Sequence, residues 1–263
     1  MQGLTEFLPV SSSGHLVLGG ALLGLREPHV LFDVALYAAT LIVVLIYYRD
    51  SVNDILHQSW DAIRDLKRGA SPSATIKARP GAWLLVLLTV GSIPTVLVRL
   101  AFGRRIEALF ASPRAVAWAM LGTAIILLAT RSVRLPGRGV SEMSCADALV
   151  VGLVQGIAII PGLSRSGSTI GTGVILGIDR ELAARYSFLL SVPAILGAVI
   201  LKIHDAPSLA DVDVAAIGAG CLVAFVAGLA TLKLFIPIVR SGRLHLFAPY
   251  LILVAGVALY LLP

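Results

Sequence analysis

Charge is what this sequence has little of. Only 14% of its 263 residues are Asp, Glu, Lys or Arg, against roughly 25% in soluble domains. With 57% hydrophobic residues and a mean hydropathy of +0.92, a soluble globular class is excluded. Cysteine is scarce as well: Cys145 and Cys221 lie in or beside apolar runs and show no disulfide or metal-site spacing. The chain has no GxxxxGK[ST] loop, no HExxH and no CxxC pair, so nucleotide-driven pumping and zinc chemistry have no support. A cleavable signal peptide is not expected, because Met1 is followed at once by polar motif sequence. The net charge of +6 sits on residues between apolar runs, a distribution that the positive-inside rule explains without a nucleic-acid partner.

Apolar runs lie at 30–48, 82–101, 115–130, 186–201, 214–232 and 247–262, at or near the length that crosses a hydrocarbon core of roughly 30 Å. They predict six transmembrane helices, with Tyr47, Tyr48, Trp83 and Tyr260 as interfacial anchors. Residues 49–81 read as a cytoplasmic amphipathic helix followed by a loop.

Two further segments, 2–25 and 146–178, are apolar but broken in the middle by Pro, Gly and Ser. They align with each other at one constant offset of 153 residues. Gln2-Gly3-Leu4 matches Gln155-Gly156-Ile157, Ser11-Ser12-Ser13-Gly14 matches Ser164-Arg165-Ser166-Gly167, and Gly24-Leu25 matches Gly177-Ile178. Three blocks in register imply an internal repeat. The first copy covers about 1–130 and the second about 145–263, within one integral membrane domain. Three spans separate the copies, and an odd number inverts one copy relative to the other. The broken segments therefore read as re-entrant helix hairpins meeting near the midplane. The expected fold is an all-α polytopic membrane protein: six transmembrane helices plus two re-entrant hairpins in an inverted-topology repeat.

Fourteen Lys and Arg residues fall on one side of the spans and six on the other. The richer side is read as cytoplasmic, which puts both termini and the opening of the first hairpin outside. Arg165, in the second hairpin, belongs to neither side. The second copy has a lead-in from Cys145 to Val154, whereas only Met1 precedes Gln2, which suggests a chain that begins late.

The polar residues of the first hairpin are Gln2, Glu6, Ser11, Ser12, Ser13 and His15. Gln2 and Glu6 are four apart and share a helix face. Pro9 ends the first arm, and Ser11 to Ser13 can cap a second arm from about Gly14 to Gly24. In the other copy Pro161-Gly162 breaks the chain, and Ser164 and Ser166 can cap an arm starting near Gly167. Two helix N-termini then face the membrane centre, each with free N–H groups and roughly half a positive charge. With Arg165 between them they would cradle a phosphate, since a planar guanidinium suits bidentate contact with its oxygens. Arg165 needs a partner in any case, because an unpaired mid-bilayer arginine costs at least about 2.5 kcal/mol. Glu6 reads as that counter-ion, a general base or a ligand for a divalent cation. Ser12 occupies the repeat position of Arg165. His15, three residues on, could activate Ser12, shuttle a proton or itself take the phosphoryl group. Gly167, Gly171, Gly173 and Gly177 read as close helix packing.

The runs from Gln2 to His15 (QGLTEFLPVSSSGH) and from Pro161 to Thr169 (PGLSRSGST) resemble the two signature motifs of undecaprenyl pyrophosphate phosphatase, the bacitracin-resistance protein family. The resemblance spans essentially the whole chain. It implies a hydrolase that removes the terminal phosphate of undecaprenyl pyrophosphate, recycling the lipid carrier for peptidoglycan and other envelope polymers. It places the chain in the bacterial plasma (inner) membrane, with its site facing outward and room for a homodimer. Glu6, Ser12, His15 and Arg165 fall on family active-site positions, with Ser12 the nucleophile and a divalent cation, magnesium or calcium, assisting at Glu6. Ser11, Ser13, Ser164, Ser166, Thr169, Gln155 and Gln2 are the candidate substrate-binding residues. Some family members carry Glu where this chain has Gln2, so a metal site with two carboxylates is not expected here. The alternative function is a flippase or transporter of polyprenyl phosphate lipids, since inverted repeats with broken helices also build transporters. Kinship with acid-phosphatase-type lipid phosphatases is set aside, because the chain has no KxxxxxxRP element.

Overall fold

The computed structural model describes residues 1–23, 30–133, 137–204 and 214–262. The third repeat block in the first copy, Gly24-Leu25, and the counted arginines Arg26 and Arg134 lie outside these residues. Twelve α-helices account for nearly all of the described chain. They are α1 (Gln2–Thr5), α2 (Ser12–Leu23), α3 (Val30–Tyr47), α4 (Arg49–Lys67), α5 (Pro72–Lys77) and α6 (Pro80–Ala108), then α7 (Pro113–Ala129), α8 (Cys145–Ile157), α9 (Arg165–Ile175), α10 (Arg180–His204), α11 (Val214–Arg240) and α12 (Ala248–Leu261).

Among the described residues five helices are long and apolar enough to cross a membrane, and six when the bent pair α3–α4 counts as one span. The chain is an all-α polytopic membrane protein. Several helices outrun their apolar cores. The run 82–101 lies inside the 29-residue α6, and the run 186–201 inside the 25-residue α10. Helix starts explain part of this extension. Pro80 and Pro113 occupy first-turn positions, where a missing N–H costs nothing. The Asp179 carboxylate accepts from the amides of Glu181 and Leu182, both at 3.0 Å, and so starts α10 before its hydrophobic stretch. The amphipathic segment is α4, turned 72° from α3, and the expected loop after it contains the short helix α5.

The 153-residue offset recurs in the helix starts. α2 begins at Ser12 and α9 at Arg165, which are aligned positions at the 153-residue offset. The packing is also paired: α1 lies on α11 as α8 lies on α6, while α3 meets α10 and α7 meets α12. Glycines set these approaches. A Cβ on Gly3 would lie 2.4 Å from the Ala224 carbonyl oxygen of α11. One on its repeat mate Gly156 would lie 2.9 Å from Val98 of α6, and one on Gly152 only 1.9 Å from the Gly91 carbonyl oxygen. Such backbone-to-backbone contact is how helices associate where no hydrophobic drive separates protein from solvent. Pro94 removes one hydrogen bond from α6. One residue on, the Thr95 hydroxyl crosses to the Gly152 carbonyl at 2.8 Å and ties α6 to α8.

Phe7 anchors the turn of the first hairpin. Its ring is 2% exposed and lies 5.8 Å from Phe188 of α10, which in turn packs on Phe235 of α11. The residue before it, Glu6, is thereby fixed against the second half of the molecule.

Candidate active site

The two hairpin turns share a local design. In the first, the Ser11 hydroxyl accepts from the Gly14 amide at 3.1 Å and lies 3.4 Å from the Ser13 hydroxyl. In the second, the Ser164 hydroxyl accepts from the Gly167 amide at 3.1 Å and lies 3.3 Å from the Ser166 hydroxyl. Each bond recurs at the repeat offset. Both serines are N-caps, and the amides of His15 and Ser168 close the first turn on the carbonyls of Ser11 and Ser164. The first two amides of α2 and of α9 are left over, as at any helix start, and are available to an anion.

The copies differ in backbone. Gly162 carries the left-handed conformation in the second turn, at φ +96°, whereas in the first it falls on Ser11, at φ +67°. A non-glycine residue held there costs on the order of 1–3 kcal/mol and marks a turn determined by its surroundings.

The turns are in contact. The Ser166 hydroxyl donates to the Leu8 carbonyl at 3.0 Å, and a Cβ on Gly14 would lie 3.2 Å from the Gly162 Cα. This contact brings the repeat mates Ser12 and Arg165 onto one carboxylate. The Ser12 hydroxyl donates to Oε2 of Glu6 at 2.6 Å, and an Nη of Arg165 pairs with Oε1. The Gln2 amide reaches the same Oε2 at 3.5 Å. The Glu6 and Arg165 side chains are 7% and 22% exposed, so the pair is largely withdrawn from solvent. The expected counter-ion of Arg165 is therefore present.

His15 lies at the edge of this group, and both of its ring nitrogens have partners other than Ser12. Its Nδ1 lies 2.8 Å from the Ser11 carbonyl oxygen and its Nε2 2.6 Å from the Tyr250 hydroxyl of α12. Thr169 is fully buried, with its hydroxyl bonded to the Arg165 carbonyl at 2.7 Å and to the Ser187 hydroxyl of α10. Ser164 also takes Thr123 of α7 as a partner, its amide donating at 2.9 Å. Ser11, Ser164 and Thr169 thus build the scaffold of the site. Gln155 donates to Thr95 at 3.3 Å and to the Leu190 carbonyl at 3.2 Å, between α6 and α10. Its repeat mate Gln2, by contrast, reaches the central carboxylate. Gly167 and Gly171 pack closely on α7, and Gly173 on α10, while Gly177 serves a left-handed turn at φ +79°.

Among the described residues no three His, Cys, Asp or Glu side chains converge. Glu6 is the carboxylate of the cluster, and Ser12 and Arg165 already occupy its oxygens. That donor set fits a divalent cation when phosphate oxygens of a ligand complete the shell, which is how magnesium is commonly held.

Sequence reasoning missed Tyr250, Thr123, Ser187 and the Leu8 carbonyl. A tyrosine near the end of an apolar span signals only an interfacial anchor, and backbone carbonyls carry no residue-type signal.

The chain matches the family model described as bacitracin resistance protein BacA over residues 1–257. It is 44% identical over 262 residues to an undecaprenyl-diphosphatase of Desulfosudis oleivorans, covering 99% of this chain and 95% of that one. The corresponding protein of Desulfatibacillum aliphaticivorans is 42% identical over 260 residues, with 98% and 94% covered. That of Korarchaeum cryptofilum is 37% identical over 259 residues, again with 98% and 94% covered.

Proposed function

The chain belongs to the bacitracin resistance protein BacA family, and from that premise we infer that it is a membrane hydrolase removing the terminal phosphate of undecaprenyl pyrophosphate. The observation that carries the reading is the Ser12–Glu6–Arg165 cluster, a hydroxyl and a guanidinium held on one buried carboxylate. The related proteins named undecaprenyl-diphosphatase supply the substrate.

Phosphoryl transfer asks for in-line placement of a nucleophile and for charge stabilisation on the equatorial oxygens. Ser12 is the nucleophile, because its hydroxyl is bonded to a carboxylate whereas both nitrogens of His15 are engaged elsewhere. The terminal phosphate docks on the free amides of α2 and α9 and draws Arg165 onto its oxygens. The guanidinium then leaves Glu6, and the carboxylate is free to accept a proton. Ser12 transfers its proton to Glu6 as its oxygen bonds to the terminal phosphorus. The bridging phosphorus–oxygen bond breaks, and the lipid monophosphate leaves. Glu6 returns its proton to solvent, then takes one from the water that attacks the serine phosphate and passes it to the Ser12 oxygen as that bond to phosphorus breaks and inorganic phosphate leaves. Glu6 would be the residue to hold a divalent cation, magnesium or calcium, and such an ion would neutralise phosphate charge. The flippase alternative draws on the repeat alone and has no use for a serine poised on a carboxylate.

The positive-inside count and the odd number of spans between the hairpins support an inverted repeat with re-entrant hairpins, in a plasma membrane, with the site and both termini on the external face. A site at that depth lets the isoprenoid tail stay in lipid while the pyrophosphate reaches water.

Purified protein in detergent or nanodiscs tests the chemistry. Inorganic phosphate should be released from undecaprenyl pyrophosphate, and Ser12→Ala should cut kcat by at least about a hundredfold. Full turnover by that variant would remove Ser12 as the nucleophile.

A further inference from the structure

We propose that Tyr250, on the last helix, is the positioning residue for His15, fixing its tautomer and ring orientation beside the nucleophile. The inference rests on the phosphatase reading for its kinetic consequence, and on geometry alone for its structural one.

The Ser11 carbonyl oxygen, 2.8 Å from Nδ1, can only accept, so Nδ1 carries a proton. In the neutral imidazole Nε2 is then an acceptor, and the Tyr250 hydroxyl at 2.6 Å donates to it. The two rings are stacked, with centroids 5.7 Å apart and planes 4° from parallel. Two hydrogen bonds and a stacked face leave the imidazole a single orientation. The inner anchor is itself constrained: the Ser11 carbonyl is aimed by a left-handed backbone at φ +67°, and its side chain caps the helix that presents Ser12. Tyr250 thus closes a chain that runs from α12 through His15 to the cap of α2.

A phenol hydroxyl suits this place because it both donates and accepts. When the imidazole gains a proton, Nε2 becomes a donor and Tyr250 rotates its hydroxyl to accept. The imidazole thereby keeps its ring orientation and its hold on the Ser11 carbonyl, next to Ser12 in the chain. A phenylalanine would keep the stack and lose this capacity. Tyr250 touches His15 and is not placed on the reacting atoms, so it acts through the imidazole.

The test is Tyr250→Phe in the full chain, with Tyr250→Leu as the variant that also loses the ring. Two readouts are taken: kcat and KM for undecaprenyl pyrophosphate, and the 15N NMR signals of histidine-labelled protein, with His15 assigned by its own substitution. Tyr250→Phe should keep the thermal transition and KM within about twofold, while kcat falls on the order of tenfold, as when an outer partner of a functional histidine is removed. The His15 Nε2 signal should move toward that of an imidazole without a donor. Tyr250→Leu should lower kcat at least as far. An unmoved Nε2 signal in Tyr250→Phe overturns the hydrogen bond, and an unmoved kcat overturns its role in turnover. Wild-type protein that releases no phosphate would instead count against the phosphatase reading, and the NMR arm would still decide the positioning claim.

Discussion

At the scale of single residues, the site depends on Glu6 having two partners of opposite fate. Arg165 and Ser12 both bond to its carboxylate in the structure; in the proposed mechanism Arg165 moves to phosphate during turnover, while Ser12 gives its proton to Glu6. Breaking a buried pair from one side leaves a charge unpaired and costs about 3 kcal/mol or more. Arg165→Met should therefore lower the thermal transition, and adding Glu6→Gln should recover most of that loss by removing the stranded carboxylate. Activity should stay absent in the double variant. Recovered stability without recovered activity separates the structural duty of the pair from its chemical one. Equal destabilisation of the single and double variants would show that Arg165 does not lean on Glu6. At this scale the sequence was legible for polar residues on broken apolar segments, because their types are conspicuous there. It was silent on Tyr250, which meets His15 across 235 residues of chain with no shared pattern.

At the scale of elements, the hairpins are held by two sorts of glycine, and the structure separates their effects. Gly152 joins α8 to α6, where an added Cβ would lie 1.9 Å from a backbone oxygen that no rotamer can move. Gly152→Ala should force the helices apart and lower stability by about 1–3 kcal/mol in chemical or thermal melts. Gly167 joins the hairpin tips, where a Cβ would lie 3.0 Å from Pro9 and from Thr123. Those neighbours can yield by tenths of an ångström. Gly167→Ala should fold with little loss of stability yet lose roughly tenfold in kcat, because Arg165 shifts relative to Ser12. A fall in stability without a fall in kcat would contradict that assignment. The repeat was readable from sequence because its alignment has no gap, and the same offset reappears in the capping bonds of Ser11 and Ser164. The length of the helices was not readable from hydropathy. Pro80 and Asp179 start α6 and α10 from polar sequence, by capping and proline geometry rather than by apolar content.

At the scale of the whole molecule, two segments align at one constant offset and differ at the positions that meet in the central cluster. Serine and arginine at equivalent places bond to the same carboxylate, Glu6. The proposed inversion of the copies has a direct topological consequence. A single cysteine at Ser71, between α4 and α5, should react with an impermeant maleimide only when the cytoplasmic face is opened, once Cys145 and Cys221 have been replaced by serine. Labelling of intact cells at that position would reverse the orientation and place the site on the other face.

Phosphate release from undecaprenyl pyrophosphate by purified protein carrying Arg165→Ala is the most direct test of the shared-carboxylate site. Losing the cation that follows the phosphate should cut kcat by at least about a hundredfold, and Arg165→Lys should recover little of it, because a point charge cannot replace the guanidinium fork. Turnover by Arg165→Ala within a few-fold of wild type would contradict it.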